Sequence, residues 1–217
     1  MDESMVVEDK RFPATAMPDD AWWSVLWPHP ERIVRTLGIE AGMTVVDLCC
    51  GNGYFTAPLA KLVNGKVYAL DIDPEMLDRA RRAVARRRVA VAGWLCADVR
   101  ELAALVPHEI DFVLIANTFH GVPDKTALAR AVARVLKPGG RLAIVNWHRI
   151  ARAQTTVLDE PRGPETALRM SPEDVRKVVE PAGFRPVDVI ELPPYHYGAV
   201  FRKSTDGAPN STAKPSC

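Results

Sequence analysis

The sequence lacks an excess of either charge: 28 Lys and Arg against 27 Asp and Glu leave a formal +1 over 217 residues. So small a balance does not supply the broad cationic surface on which nucleic-acid binding rests, and no nucleic-acid partner is expected. It also lacks a signal peptide and any apolar run long enough to span a bilayer. No membrane partner is therefore expected, and a reducing cytoplasm is the default location. Cysteine is scarce, with Cys49 and Cys50 adjacent and Cys96 and Cys217 far apart. That spacing forms neither a disulfide framework nor a metal site, so no metal is expected. Cys49 and Cys50 read as small buried fillers, with reactive thiols as the alternative. Missing too is the Lys-Ser/Thr pair that would turn the glycines at 51 and 53 into a phosphate-binding P-loop.

What is present suits one folded domain. Hydrophobic residues make up 47% and charged residues 25%, enough to bury a full core in one doubly wound unit with short additions. The cluster Arg79, Arg81, Arg82, Arg86, Arg87 and Arg88 lies on a stretch that also carries Met76, Leu77, Ala80, Ala83 and Val84 at helical spacing. It reads as the solvated face of a helix.

The chain is organised around residues 45–56. Val45-Val46-Asp47-Leu48 is a β-branched run ending near an acid, Gly51 and Gly53 follow, and an amphipathic stretch from Phe55 to Leu62 comes next. The order predicts strand, tight turn and helix. Glycines in such a turn let a ligand approach the backbone, and the N–H groups opening the helix point into the same space. Residues 65–74 then read as a second strand closing on Asp71, which falls 20 residues after Gly51. An acid at that place accepts hydrogen bonds from ribose hydroxyls in nucleotide sites. Asp73 before Pro74-Glu75 is assigned to capping the following helix.

Further along, residues 93–99 read as a short third strand ending at Asp98, which has capping of the stretch from Arg100 as its alternative role. Asp111 to Ala116 is a continuous apolar run of the kind buried on both faces of a parallel sheet, leading into Asn117, Thr118, Phe119 and His120. Asp124 caps a helix reaching Leu136, and Pro138-Gly139-Gly140 stops it and launches a strand that ends in Asn146, Trp147 and His148. Residues 149–169 are aperiodic and suit an insertion over a site. Ser171-Pro172 opens a last helix, a strand over 185–191 follows, and residues 192–203 give a turn and a last strand with a hairpin-like join.

As an ordered set these elements resemble the class I S-adenosylmethionine-dependent methyltransferases. Asp47-x-Cys49-x-Gly51-x-Gly53 is similar to their first motif, with Cys49 where that pattern has glycine. Leu136-Lys137-Pro138-Gly139-Gly140 is a second marker, and the Arg169-Met170-Ser171-Pro172-Glu173-Asp174 helix opening looks like the small-molecule enzymes of the ubiquinone/menaquinone type. The resemblance, covering about 33–203, implies an α/β fold: a Rossmann-like seven-stranded, mostly parallel sheet with one antiparallel strand and helices on both faces. It implies S-adenosyl-L-methionine as cofactor, with Asp47 and Asn117 at the methionine end and Asp71 at the ribose. Asp98 would lie at the adenine, and Cys49, Gly51, Gly53, Ile72 and Val99 would line the same cradle.

The implied reaction is in-line transfer of a methyl group to a small-molecule acceptor. His120, His148 and His196 are the candidate catalytic residues, because imidazole titrates near neutrality. The alternatives are a non-catalytic cofactor-binding subunit and a nicotinamide-dependent oxidoreductase, the latter lacking a third glycine. The expected division is an arm with a Trp-rich flap over 1–27, the methyltransferase domain over 28–203, and a disordered tail over 204–217. Trp22, Trp23 and Trp27 are expected to close over the pocket, with ordinary core packing as the other reading. The atom methylated and the oligomeric state are left open by these residues.

Overall fold

The computed structural model describes residues 12, 15, 17, 19–107 and 109–205. The expected tail at 204–217, beyond its first two residues, and most of the arm before residue 19 thus lie outside the described residues. Helices α1 (Asp20–Leu26) and α2 (Pro30–Thr36) lead into strand β1 (Val45–Leu48). There follow α3 (Thr56–Leu62), β2 (Val67–Asp71), α4 (Pro74–Arg86) and β3 (Gly93–Cys96). A short helix α5 (Leu102–Leu105) precedes β4 (Ile110–Ala116), α6 (Lys125–Val135) and β5 (Leu136–Trp147). A two-stranded hairpin, β6 (Thr156–Val157) and β7 (Glu160–Pro161), stands before α7 (Pro172–Val179), β8 (Phe184–Leu192) and β9 (His196–Lys203).

Seven strands form one sheet in the order β3-β2-β1-β4-β5-β9-β8. All neighbours are parallel up to β5, and β9 runs antiparallel to both β5 and β8. This is the expected fold class. The hairpin β6–β7 within the stretch read as aperiodic is an addition, since two-residue strands carry no detectable period.

Local chemistry sets the ends of these elements. Asp73 accepts the Glu75 N–H at 2.9 Å with Pro74 at the first helical position, and Asp124 accepts the Ala127 N–H at 2.8 Å. Ser171 and Asp174 cap α7 reciprocally, each accepting from the other's backbone. Lys137 to Gly140 bulge out of the ladder, so that Ile110 faces Leu136 but Phe112 faces Arg141.

The sheet is covered on both faces. Val46, Leu48, Val113, Ile115, Ile144 and Phe201 pack under α6 and α7, while Val45, Phe112, Leu114, Val145 and Val200 pack under α1, α2 and α3. Each such side chain, fully buried, contributes about 1.5 to 3 kcal/mol. Trp22, Trp23 and Trp27 belong to the second of these clusters. Trp27 Nε1–H donates to the Pro193 carbonyl at 2.8 Å, and the Tyr54 hydroxyl donates to the carbonyls of Trp23 and Trp27. The tryptophan segment is therefore part of the hydrophobic core.

Candidate functional site

Between β1 and β4 the strand order reverses, and β1 feeds the glycine turn at that switch, where open α/β sheets hold their ligands. The turn is built from unusual backbone conformations. Cys49, Gly51 and Gly53 have φ of 61, 54 and 82°, and Asn117 at the end of β4 has φ 59°. Cys49 thus occupies the left-handed region as a non-glycine residue, at a cost of about 1 to 2 kcal/mol.

The two glycines do different things. A Cβ on Gly53 would stand 2.7 Å from Ala80 Cα in α4, so its bareness is required by helix packing. A Cβ on Gly51 would meet the Met17 thioether at 2.7 Å, the far end of a flexible side chain. The space beside Gly51 is thus filled by a side chain that can move, whereas that beside Gly53 is filled by helix backbone.

Asp71 ties the turn to β2. Its Oδ2 accepts the Gly51 N–H at 2.8 Å and its Oδ1 accepts the Asp73 N–H at 3.0 Å. Burial raises its pKa despite these bonds. Ile72 follows at half-buried depth. Asp47 lies beneath, almost wholly buried, and accepts the Thr56 hydroxyl at 2.6 Å. Burial pushes its pKa up to about 7, against the bond from Thr56 and helped by the charge of Asp71. Burial, followed by the charges of Asp71 and Asp47, also pushes the Cys49 and Cys50 thiols well up, so they stay protonated and inert. Cys50 is buried and Cys49 half-buried.

Asp98 caps the turn Val99–Glu101 through the Arg100 N–H at 2.9 Å and pairs with the Arg100 guanidinium, while Val99 is buried beside it. The capping role is thus present at this position.

The three histidines are not gathered at one point. His120 is buried on the turn Phe119–Gly121 after β4. His148 Nε2 lies 2.8 Å from Glu191 Oε2, and its ring is tilted against that of Tyr197 with centroids 5.1 Å apart. His196, 0% exposed, sits among Trp147, Trp27 and Trp23, with ring centroids 4.1, 4.5 and 6.4 Å away. Burial holds its pKa well below the ordinary imidazole range, aided by the charges of Arg169 and His148. Neither of its nitrogens has a hydrogen-bond partner among the described residues.

The side-chain amide of Asn117 and the Nε1–H groups of Trp22 and Trp23 are buried and unpartnered in the same sense. Such groups cost about 1 to 3 kcal/mol each when nothing satisfies them, so water or a polar ligand at this end of the sheet would relieve them. The Thr56 contact and these unpartnered groups were not legible in the sequence, because each depends on residues brought together by the sheet.

The loop after β5 is organised by Arg169, 3% exposed. It donates to the carbonyls of Pro164, Ile150 and Arg162 and to the Thr155 hydroxyl, at 2.9 to 3.1 Å, and lies 5.0 Å over the Trp147 ring. Among the described residues no group of three or more His, Cys, Asp or Glu side chains is arranged to hold a metal, and no helix is long and apolar enough to cross a membrane.

Comparison with known proteins agrees with this geometry. Residues 45–140 match the family described as Methyltransferase domain. The chain is 33% identical over 141 residues to a ubiquinone biosynthesis O-methyltransferase of Xanthomonas euvesicatoria pv. vesicatoria, covering 61% of this chain and 58% of that protein. The chain thus spans somewhat over half the length of that relative. A SAM-dependent methyltransferase structure from Aquifex aeolicus superposes with a TM-score of 0.69 at 25% identity, over 93% of this chain and 98% of the other. To the ubiquinone/menaquinone biosynthesis C-methyltransferase UbiE of Escherichia coli O1:K1 / APEC the identity is 30% over 182 residues, or 71% of each protein. With that coverage and that fold, the chain belongs to the class I S-adenosylmethionine-dependent methyltransferases.

Proposed function

We propose that this chain binds S-adenosyl-L-methionine in the glycine turn and directs its methyl group to a small-molecule acceptor. The observation that carries this is Asp47: a nearly buried carboxylate with one hydroxyl partner and a pKa of about 7. A carboxylate left in that state is relieved by a cation, and the donor's methionine ammonium is one. The residues present fit the donor in other respects. Only the movable Met17 side chain stands against Gly51 at the turn, and Asp71 keeps lone pairs for ribose hydroxyls while it fixes Gly51 and Asp73. Asp98 and Val99 would hold the adenine, Ile72 and Cys49 would pack along the cradle, and Asn117 would face the methionine end.

When bound, the donor supplies a methyl already activated on a sulfonium, so the chain's own work is alignment and dryness. Holding the acceptor in line can contribute about 7 to 11 kcal/mol. The packed tryptophans of α1 exclude water from the same end of the sheet. His196 keeps an unprotonated nitrogen at neutral pH because burial and Arg169 oppose its charging. It therefore acts as a positioning acceptor of a hydrogen bond more readily than as a strong base. His120 stands on the acceptor side after β4, and His148 is held to Glu191 at the rim.

Incubation of the full chain with methyl-labelled donor and a metabolite extract tests the reading. A labelled small product is the expected result. Absence of any labelled product, with the demethylated donor still bound, contradicts transfer and leaves a non-catalytic binding subunit.

A further inference from the structure

A cleft of about 820 Å³ opens between the loop after β4, the loop after β5, α6 and α7. That is the size of a small-molecule site. His120 lines it, three residues past Asn117, on the turn that follows β4, the strand paired with β1. Tyr197, whose hydroxyl donates to the carbonyl of cleft-lining Met170 at 2.8 Å, belongs to the same face of the sheet as Ile144 and Leu142. Asn146 alternates onto that face, opposite Tyr197 in the ladder.

The charges lining this cleft are unequal in their commitments. Its acids are already engaged: Asp124 caps α6, and Asp174 accepts the Ser171 N–H at 3.0 Å and lies 3.5 Å from Arg149. Its cations are less so. Lys125 Nζ meets the Val122 carbonyl at 2.7 Å and Lys177 is exposed, and neither has a carboxylate within ion-pair distance among the described residues. Arg169, nearly buried, makes all its bonds to carbonyls and a hydroxyl. Half-burial also lowers the Lys125 pKa, the direction expected of an ammonium lacking a counter-ion. Leu168, Met170 and Val178 supply apolar wall between these cations.

We propose that this cleft holds the acceptor, and that the acceptor is an anion with an apolar body whose carboxylate or phosphate is met by Lys125 and Lys177, with Arg149 shared between it and Asp174. This rests on the methyltransferase reading. The reacting end of such a molecule reaches past His120 toward Asn117 and Asn146, while its anionic end stays at the cations. Cationic amines are excluded by the same field.

The test uses the full chain saturated with S-adenosylhomocysteine and three probes, benzoate, phenyl phosphate and neutral benzamide, titrated by ligand-observed NMR. At least one anion binds about tenfold more tightly than benzamide, and the stronger of the two identifies carboxylate or phosphate as the group recognised. In the double variant Arg149→Gln/Lys177→Gln, both on exposed side chains, that preference falls to within about twofold while S-adenosylhomocysteine affinity is unchanged. Equal binding of benzamide, no binding of any probe up to about 10 mM, or a preference that survives the double variant overturns the proposal. Failure of S-adenosylhomocysteine itself to bind would instead count against the methyltransferase reading.

Discussion

The Asp71 carboxylate accepts the amide N–H of Gly51 at 2.8 Å, joining the end of β2 to the turn after β1. The bond spans 20 residues and fixes the shape of the turn before any ligand arrives. Hydrogen bonds to a charged group are worth about 1.5 to 3 kcal/mol, so Asp71→Ala is expected to lower both thermal stability and donor affinity, the latter by about ten- to a hundredfold. Asp71→Asn, which keeps one oxygen, is expected to fall between. Thermal melts and S-adenosylhomocysteine titrations of the two variants check the order.

The glycines of the turn are separable by substitution. Gly53→Ala drives a methyl into the Ala80 backbone at φ 82°, so the helix itself must move. A loss of about 2 kcal/mol or more in denaturant unfolding is expected. Gly51→Ala displaces only the Met17 side chain. Its stability cost is expected to be near the left-handed penalty of about 1 kcal/mol, with donor affinity as the larger casualty. A reversed pattern would show that the roles are misassigned.

Asp47 gives the apo protein a specific pH signature. Its folded pKa of about 7 stands above the ordinary 3.8, so the folded state holds the proton more tightly than the unfolded one. The stabilisation is therefore complete below about pH 4 and is lost as pH rises through 7. Asp47→Asn removes this dependence while its side-chain oxygen still accepts from Thr56. At pH 8.5 the variant is expected to exceed the wild type by as much as about 4 kcal/mol, an advantage that shrinks steadily below pH 7 and is gone only below about pH 4. Urea unfolding of both proteins across that range reads the difference directly, and a pH-independent difference would contradict the assignment.

Arg169 is expected to be intolerant of charge-preserving change. Lysine cannot reproduce a planar fork that meets three carbonyls and a hydroxyl while lying over Trp147. Arg169→Lys should cost about 2 kcal/mol or more and raise hydrogen exchange across 150–164 first. Uniform exchange across the chain would show that the residue does not organise this loop.

The features legible in the sequence were those with local causes. The alternation of strand and helix, the caps at Asp73, Asp124 and Ser171, and the left-handed demand of the turn each lie within a few residues of their signal. Asp71 was legible because its spacing from Gly51 is a rule of the fold. By contrast, the Gly53–Ala80 contact, the Asp47–Thr56 bond and the Arg169 staple depend on side chains that only the packed sheet brings together. The tryptophans show the same limit. Their clustering in sequence signalled a shared surface, but that they bury against Trp147 and His196 follows from the β5–β9 pairing.

Calorimetric titration of the full chain with S-adenosylhomocysteine, run at pH 6 in two buffers of different ionisation enthalpy and repeated with NAD, tests the central claim most directly. The account predicts micromolar binding of S-adenosylhomocysteine accompanied by release of up to about one proton as Asp47 ionises, and no heat with NAD. No heat from S-adenosylhomocysteine at millimolar concentration, or a preference for NAD, would contradict it.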